Sequence, residues 1–258
     1  MTADAAAAYE RYIGCWSRRV AADFLPWLAV APDAAWLDVG CGSGALAQTI
    51  LAQRRPAKVD ACDRSSEFVA RTRAATADDR ASFVVADACG LPFPDRSYDA
   101  VVCGLVLPSL DDQPRALAEF VRVARPGGII GAYVWDFDGE MQILRYFWNA
   151  ATALTPQADE PDDERFAICK PEPLAAALRA AGLHDVVVTA IDAPARFANF
   201  EDYWDPFLTG TAPAQVHVQS LSGAQRTTLR ERLRAALPVA SDGSIPLVAR
   251  AWAAKGHA

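Results

Sequence analysis

The chain has few of the residues on which common metal and redox sites depend. Its 258 residues include three histidines, two methionines and six cysteines. The cysteines form no C-x-x-C pair and no Cys/His cluster with zinc-finger spacing, so neither a structural zinc site nor a redox dithiol is indicated. We therefore expect no metal, and we expect most cysteines to be small buried apolar residues.

The sequence also lacks a long apolar run and a long run of like charges. A membrane-spanning helix needs about 18 or more consecutive apolar residues, and no run approaches that length. The stretch 20–31 follows two arginines, but Asp23 and Pro26 interrupt it, so we do not expect a secretion signal. The net charge of -7 argues against a phosphate-rich partner. We therefore expect a cytoplasmic protein that binds neither membrane nor nucleic acid.

Short strand-like segments alternate with helical segments over the first half of the chain. An apolar fraction of 52% is enough for one large core. Strands are predicted at 35–40, 58–62, 82–86, 98–104 and 129–135, and helices at 45–53, 65–75 and 114–124. Strands and helices that alternate in this way build a mostly parallel sheet with helices on both faces and right-handed crossovers.

The stretch Gly40–Gly44, of sequence GCGSG, lies between the first predicted strand and the first helix. The missing side chains let backbone N–H groups approach a ligand closely. Because Ala45 follows, the stretch also fits the G-x-G-x-x-G/A pattern of dinucleotide enzymes. Asp38, at the end of the first strand, can accept a hydrogen bond from the ammonium of a methionine moiety, and it would repel a pyrophosphate.

Two further carboxylates follow the next predicted strands. Asp63 lies at the end of the second strand, where a carboxylate can bind ribose hydroxyls in either kind of cofactor. Asp87 follows the third strand, where its side chain and the Ala88 N–H could bond the amino edge of adenine. This third acidic position favours S-adenosylmethionine (SAM) over a dinucleotide.

Several motifs together resemble the class I SAM-dependent methyltransferases, over roughly residues 35–135. They are the stretch 37–44 (LDVGCGSG), Asp63, Asp87, the stretch 91–101 (LPFPDRSYDAV) and 125–128 (RPGG). Within that superfamily the spacing is similar to the ubiquinone/menaquinone-biosynthesis-like branch of small-molecule methyltransferases. The resemblance implies an α/β fold: a Rossmann-like, seven-stranded, mostly parallel sheet with an antiparallel last strand, helices on both faces and a helical lid insertion. Such a topology would separate the chain from a dehydrogenase.

The resemblance further implies an enzyme that moves a methyl group from SAM to a small molecule and releases S-adenosyl-L-homocysteine (SAH). Oxygen and carbon acceptors are favoured. The cofactor-binding positions that it implies are Tyr12 and Trp16 as lid contacts, Asp38, Gly40 and Gly42 beside the methionine, Asp63 beside the ribose, Asp87 and Ala88 beside the adenine, and Cys103 at the floor of the site.

The second half of the chain has a different pattern. Helices are predicted at 141–154, 173–181 and 225–236, and strands at 184–191 and 246–254. The residues between the last two strands include the aromatic stretch 200–207, and we expect them to form a lid. The predicted organisation is an N-terminal helical lid segment at 1–34, a SAM-binding core at 35–191, a lid and acceptor insertion at 192–243, and the last strand and tail at 244–258.

Candidates for a general base are few. Alignment and exclusion of water can supply most of the acceleration of methyl transfer, although a phenol, alcohol or acidic carbon gains from a proton acceptor. The stretch 104–109 lacks the histidine often found after the fourth strand in this branch. Because His257 is next to last and His184 begins a strand, His217 in the expected lid is the catalytic candidate, with Asp136 as a second.

Two other function classes stay open. A non-catalytic SAM-binding module or partner subunit is suggested by the missing base and the unspecified acceptor site. An NAD(P)-dependent oxidoreductase is supported by the glycine pattern alone and opposed by Asp38, Asp87 and the lack of a Tyr-x-x-x-Lys pair. Specificity in this fold resides in the variable lid, so the pattern defines neither the acceptor nor the oligomeric state.

Overall fold

One seven-stranded sheet organises the computed structural model, which describes residues 14–154 and 164–258. The strand order is β3-β2-β1-β4-β5-β7-β6, with β1 to β5 parallel and β7 antiparallel to both of its neighbours. This order confirms the predicted fold class. The strands are β1 (Ala35–Val39), β2 (Lys58–Asp63), β3 (Ala81–Val85), β4 (Tyr98–Gly104), β5 (Ala124–Trp135), β6 (His184–Phe197) and β7 (Ile245–His257).

Helices cover both faces of the sheet, and side chains cap the N-termini of several of them. Ser65 Oγ accepts from the Phe68 N–H at 3.3 Å, and Asp112 Oδ1 accepts from the Arg115 N–H at 3.0 Å. The described helices are α1 (Cys15–Leu28), α2 (Ala45–Gln53), α3 (Ser66–Ala75), α4 (Gln113–Val123), α5 (Gln142–Leu154), α6 (Pro171–Ala180), α7 (Phe200–Trp204), α8 (Pro213–Ser220) and α9 (Gly223–Ala236). Among them, none is both long and apolar enough to cross a membrane.

Helix α1, the first in the described part of the chain, covers one face of the sheet. Phe24 and Leu28 are fully buried, and their side chains lie where a Cβ on Gly131 of β5 would point. Toward the start of the helix, Ser17 Oγ lies 3.1 Å from the Tyr133 hydroxyl, farther along the same strand. The helix therefore runs antiparallel to β5, and its N-terminal end reaches the edge of the sheet at which the parallel strands end.

The antiparallel pair of β6 and β7 is longer than the sequence pattern predicts. Ala193, Ala195 and Phe197 are buried while the residues between them are exposed, so β6 continues six residues beyond the predicted end at Ile191. Every one of these residues pairs with β7, which starts at Ile245. Alanine at inward positions supplies little hydrophobic contrast, which explains why the alternation was not visible in the sequence.

The insertion between β6 and β7 packs against α5 through aromatic rings. Phe147 of α5 stacks on Phe207, with ring centroids 4.7 Å apart and an interplanar angle of 4°. The Tyr203 hydroxyl donates to the carbonyl oxygen of Ile143 at 2.9 Å. These rings belong to the same apolar core as α1, so the insertion lies on the α1 face of the sheet.

Candidate functional site

The loops after β1 and β4 meet where the strand order reverses. From β1 the sheet continues through β2 and β3 in one direction, and from β4 through β5 in the other. In open α/β sheets, ligands bind in the crevice outside the carboxyl ends of the strands at such a switch point. The Val106 side chain, after β4, lies 2.4 Å from the place that a Cβ on Gly40 would occupy. Only glycine at position 40 lets these loops approach so closely.

The glycine loop, residues 40–44, is hydrogen-bonded to the end of β2 and is open on its other side. The N–H groups of Gly40 and Cys41 donate to the Cys62 carbonyl oxygen at 2.8 and 2.9 Å, and the Gly42 N–H donates to Asp63 Oδ2 at 3.0 Å. Gly42 has a φ of +48°, and a Cβ there would meet nothing within 4 Å. Residue 42 therefore borders open space in which a ligand could lie against the backbone.

Asp38 carries an unpaired oxygen beneath this loop. The residue is 1% exposed, and its Oδ2 accepts from the Ala47 N–H at 3.0 Å in the first turn of α2. Its Oδ1 is buried and has no hydrogen-bond partner among the described residues. Burial, with a smaller contribution from the negative charge of Asp63, raises the pKa of Asp38 to about 7. A cationic donor at Oδ1 would satisfy this oxygen and favour the ionised carboxylate.

Asp63 joins the glycine loop to the turn after β2. Besides the bond to Gly42, its Oδ1 accepts from the Ser65 N–H at 2.8 Å. Each carboxylate oxygen still has a second lone pair, so these bonds leave room for hydroxyl donors from a ligand. The predicted contact with ribose is compatible with this geometry and remains a prediction.

The predicted adenine-side residues and the predicted floor also lie at the carboxyl edge. Asp87 is exposed just beyond β3, and its Oδ1 accepts from the Cys89 N–H at 2.8 Å, while Ala88 is buried. Cys103 is fully buried in β4, opposite Ala132, and burial raises the pKa of its thiol. The fold thus brings the positions predicted from four strand ends to one edge, and their roles remain predictions.

The predicted lid residues lie on other elements. Trp16, at the start of α1, packs edge to face on Phe197 at 5.7 Å, while Tyr12 lies outside the described residues. His217, on α8, has its ring 6.1 Å from that of Phe147 and 5.6 Å from that of Trp148. Its Nε2 is buried without a partner among the described residues, and burial lowers the pKa of the imidazole.

Asp136, the second base candidate, is a buried turn residue. It is 6% exposed, its Oδ2 accepts from the Glu140 N–H at 2.8 Å, and its carbonyl oxygen accepts from the Met141 N–H at 3.0 Å. These bonds form the turn between β5 and α5. A local structural role accounts for the carboxylate.

Tyr133 lies buried beside the candidate site, and the sequence pattern did not reveal this position. It pairs with Gly104, the last residue of β4, and its hydroxyl lies 2.5 Å from where a Cβ on Gly104 would be. The hydroxyl therefore reaches the end of β4 beside the crevice and contacts Ser17 of α1. In the sequence, Tyr133 is one apolar residue of a buried strand, and only the glycine opposite it marks the position.

Residues 37–132 match the family model described as "Methyltransferase domain". A 2-methyl-6-phytyl-1,4-hydroquinone methyltransferase of Synechocystis is 34% identical over 62% of this chain and 50% of its own length. A malonyl-[acyl-carrier protein] O-methyltransferase of Pectobacterium atrosepticum is 34% identical over 56% of this chain and 57% of its own. The chain thus spans about half the length of these curated relatives.

Solved structures agree on the fold over nearly the whole chain. The YcgJ protein of Bacillus subtilis has a TM-score of 0.58 at 16% identity, over 93% of this chain and 97% of its own. Phosphoethanolamine N-methyltransferase 2 of Haemonchus contortus, solved with SAM, has a TM-score of 0.55 at 14% identity, over 92% of this chain and 52% of its own. Residues 37–132 are thus similar to a methyltransferase domain, and the solved structures agree with the predicted Rossmann-like fold.

Proposed function

We propose that this protein is an enzyme that methylates a small, apolar, oxygen-bearing molecule with SAM as the methyl donor. The observation that carries the proposal is the half-satisfied carboxylate of Asp38 beneath an open glycine loop at the β1–β4 switch point. A buried oxygen without a partner is costly, and a ligand ammonium would supply the missing donor.

The residues at the carboxyl edge fit SAM from one end to the other. Asp38 would bind the methionine ammonium, and the open backbone at Gly42 leaves space for the chain of the cofactor. Asp63, at the end of β2, would accept from the ribose hydroxyls, and Asp87 with the Ala88 N–H would bond the adenine edge. A pyrophosphate at this loop would lie close to the charges of Asp38 and Asp63, which argues against a dinucleotide.

When bound, SAM would supply a sulfonium methyl group, whose carbon the acceptor's nucleophile would attack in line while the bond from that carbon to sulfur breaks. The acceptor forms one bond to that methyl carbon, loses one proton, and SAH leaves. The chain's own part is to align the two partners and exclude water from them. The core residues of α1 and the aromatic rings of the insertion lie on one face of the sheet, which suits them to enclose an apolar acceptor.

His217 is the residue that we propose as proton acceptor for the nucleophile. Because burial lowers its pKa, the imidazole is neutral near pH 7 and able to take up a proton. Its Nε2 has no partner among the described residues, while Phe147 and Trp148 provide apolar walls beside it. These features suit a base that works in a water-poor acceptor site.

The function is tested by incubating the protein with SAM and a panel of phenols and hydroxylated bicyclic rings, with SAH and methylated product measured by mass spectrometry. We expect SAH to form only when an acceptor is present. Tight binding of SAM without turnover of any acceptor would favour a non-catalytic SAM-binding module instead.

The role of His217 is tested with the variant His217→Gln. A general base contributes about 100-fold or more, so kcat is expected to fall by at least that factor while the Kd for SAH is unchanged. The acidic limb of the kcat profile is expected to disappear in the variant. The matched control is His184→Gln, at an exposed position at the start of β6. A wild-type kcat in His217→Gln would remove His217 from the mechanism.

A further inference from the structure

Three buried indole N–H groups have no hydrogen-bond partner among the described residues. They belong to Trp16, Trp36 and Trp135, which are 7%, 0% and 3% exposed. A buried donor without a partner costs about 1–3 kcal/mol, so each such group requires an explanation. Their positions in the fold separate the three tryptophans into two kinds.

Trp135 overhangs the crevice at the end of β4. The last residue of β4, Gly104, pairs with Tyr133, whereas β5 continues two residues farther to Trp135. Side chains two apart on a strand point to the same face, so Trp135 follows Tyr133 on the α1 face, roughly 7 Å farther along the strand. The indole ring therefore lies on the α1 face beyond the end of β4, beside the site at which methyl transfer is proposed.

Trp16 reaches the same region from α1. The next residue, Ser17, lies 3.1 Å from the Tyr133 hydroxyl, which in turn lies beside Gly104. One hydrogen bond thus links the chain segments that carry Trp16 and Trp135. The ring of Trp16 packs on Phe197 at the end of β6, and Tyr203 of the insertion packs on the same Phe197 ring. The Arg19 guanidinium lies 5.3 Å from the centroid of the Trp16 ring, whereas Trp135 belongs to the apolar core.

Trp36 is the reference case. It is the second residue of β1, paired with Val59 on one side and Ala100 on the other, so it lies toward the amino ends of the strands. A ligand at the carboxyl edge cannot reach it. Its unpaired N–H is a cost of packing a large ring into the core, and the same change at position 36 should leave ligand binding unaltered.

We propose that the indole N–H groups of Trp16 and Trp135 recognise an oxygen atom of the methyl acceptor, and that this acceptor is an uncharged aromatic ring bearing a carbonyl or hydroxyl oxygen. The proposal rests on the proposed function. Two donors require an acceptor atom with free lone pairs, and a charged group would be costly to bury beside Trp135 in the apolar core. Aromatic walls favour a flat ring.

The probes for the test are matched pairs that differ by one carbonyl oxygen: 1-tetralone with tetralin, and acetophenone with ethylbenzene. Their carbonyls only accept hydrogen bonds. Indole N–H resonances of the 15N-labelled full chain are followed by NMR with saturating SAH, and the peaks of Trp16, Trp36 and Trp135 are assigned from single Trp→Phe variants. Calorimetry gives the affinity for each probe, and thermal melting confirms that each variant is folded.

We expect each ketone to bind more tightly than its hydrocarbon and to shift the Trp16 and Trp135 resonances downfield while the Trp36 resonance stays in place. Trp135→Phe and Trp16→Phe should each weaken ketone binding about threefold to tenfold, the loss expected for one hydrogen bond, and leave hydrocarbon binding unchanged. Trp36→Phe should change neither.

Equal affinity for ketone and hydrocarbon, no binding of either, or unmoved Trp16 and Trp135 resonances would overturn the inference. The SAH titration of the same samples separates this failure from that of the proposed function. If SAH binds and the indoles do not respond, only the acceptor inference is wrong. If SAH does not bind, the proposed function is wrong as well.

Discussion

Replacing Asp38 with asparagine should make the ligand-free protein more stable at neutral pH and impair its binding of SAH. The carboxylate is fully buried with one oxygen unpaired, and burial raises its pKa to about 7 from the ordinary 3.8. At about 1.36 kcal/mol per pKa unit, ionised Asp38 destabilises the native state by about 4 kcal/mol at high pH. An asparagine keeps an oxygen for the Ala47 N–H and carries no charge.

The pH dependence has a definite sign. Between the unfolded pKa near 4 and the folded pKa near 7, the native state binds more protons at Asp38 than the unfolded state, so the contribution of this group to stability falls as pH rises. Between pH 5 and pH 8 the free energy of unfolding of the wild type should fall by about 3 kcal/mol relative to that of Asp38→Asn. Urea denaturation of both proteins at the two pH values, without ligand, measures this difference.

Asp99→Asn is the matched control, because Asp99 lies near the amino ends of the strands. Burial alone would raise the pKa of Asp99, but the Ala35 N–H and the Arg125 guanidinium hold it below its ordinary value. The stability that ionised Asp99 contributes is present above the unfolded pKa and is lost as pH falls. Asp99→Asn should therefore destabilise the protein at neutral pH. If Asp38→Asn and the wild type had the same difference in free energy of unfolding at pH 5 as at pH 8, the claim that burial raises the pKa of Asp38 would be refuted.

Three further predictions concern the architecture of the fold. Gly40→Ala should be more destabilising in thermal melts than Gly42→Ala, although both residues have positive φ, because only the first places a Cβ against the loop after β4; equal melting temperatures would contradict this packing. Ser65→Ala removes the cap of α3 and should lower the free energy of unfolding by about 1 kcal/mol in urea denaturation, and an unchanged value would show that the cap does not stabilise the protein. Phe147→Ala removes a ring stacked on Phe207 and should cost about 3–5 kcal/mol, whereas a cost below 1 would mean that the insertion is loosely attached.

The residues at the carboxyl edge of the sheet were predictable from the sequence because strand direction alone determines their position. Residues that follow parallel strands lie at the same edge, whatever their side chains are. Asp38, Asp63 and Asp87 therefore converge as expected. The sequence could not show that one oxygen of Asp38 accepts a hydrogen bond from the Ala47 N–H, because that bond depends on how α2 is placed over β1.

The α1 face was harder to predict for the same kind of reason. Tyr133 and Trp135 look like ordinary members of an apolar strand, and their position beside the crevice follows only from the register of β5 on β4. The length of the antiparallel β6–β7 pair depends on alanines that gain their burial from the partner strand. Such features come from tertiary pairing and leave a weak periodic signal.

Calorimetric titration of the purified chain with SAH and, separately, with NAD tests the central claim most directly. We expect SAH to bind and NAD not to bind. We also expect Asp63→Asn, at the end of β2, to weaken SAH binding at least about tenfold, the loss of one charge-assisted hydrogen bond, whereas Asp99→Asn should leave SAH binding unchanged. Binding of NAD in place of SAH, or binding of neither, would contradict the assignment of this edge as a SAM site.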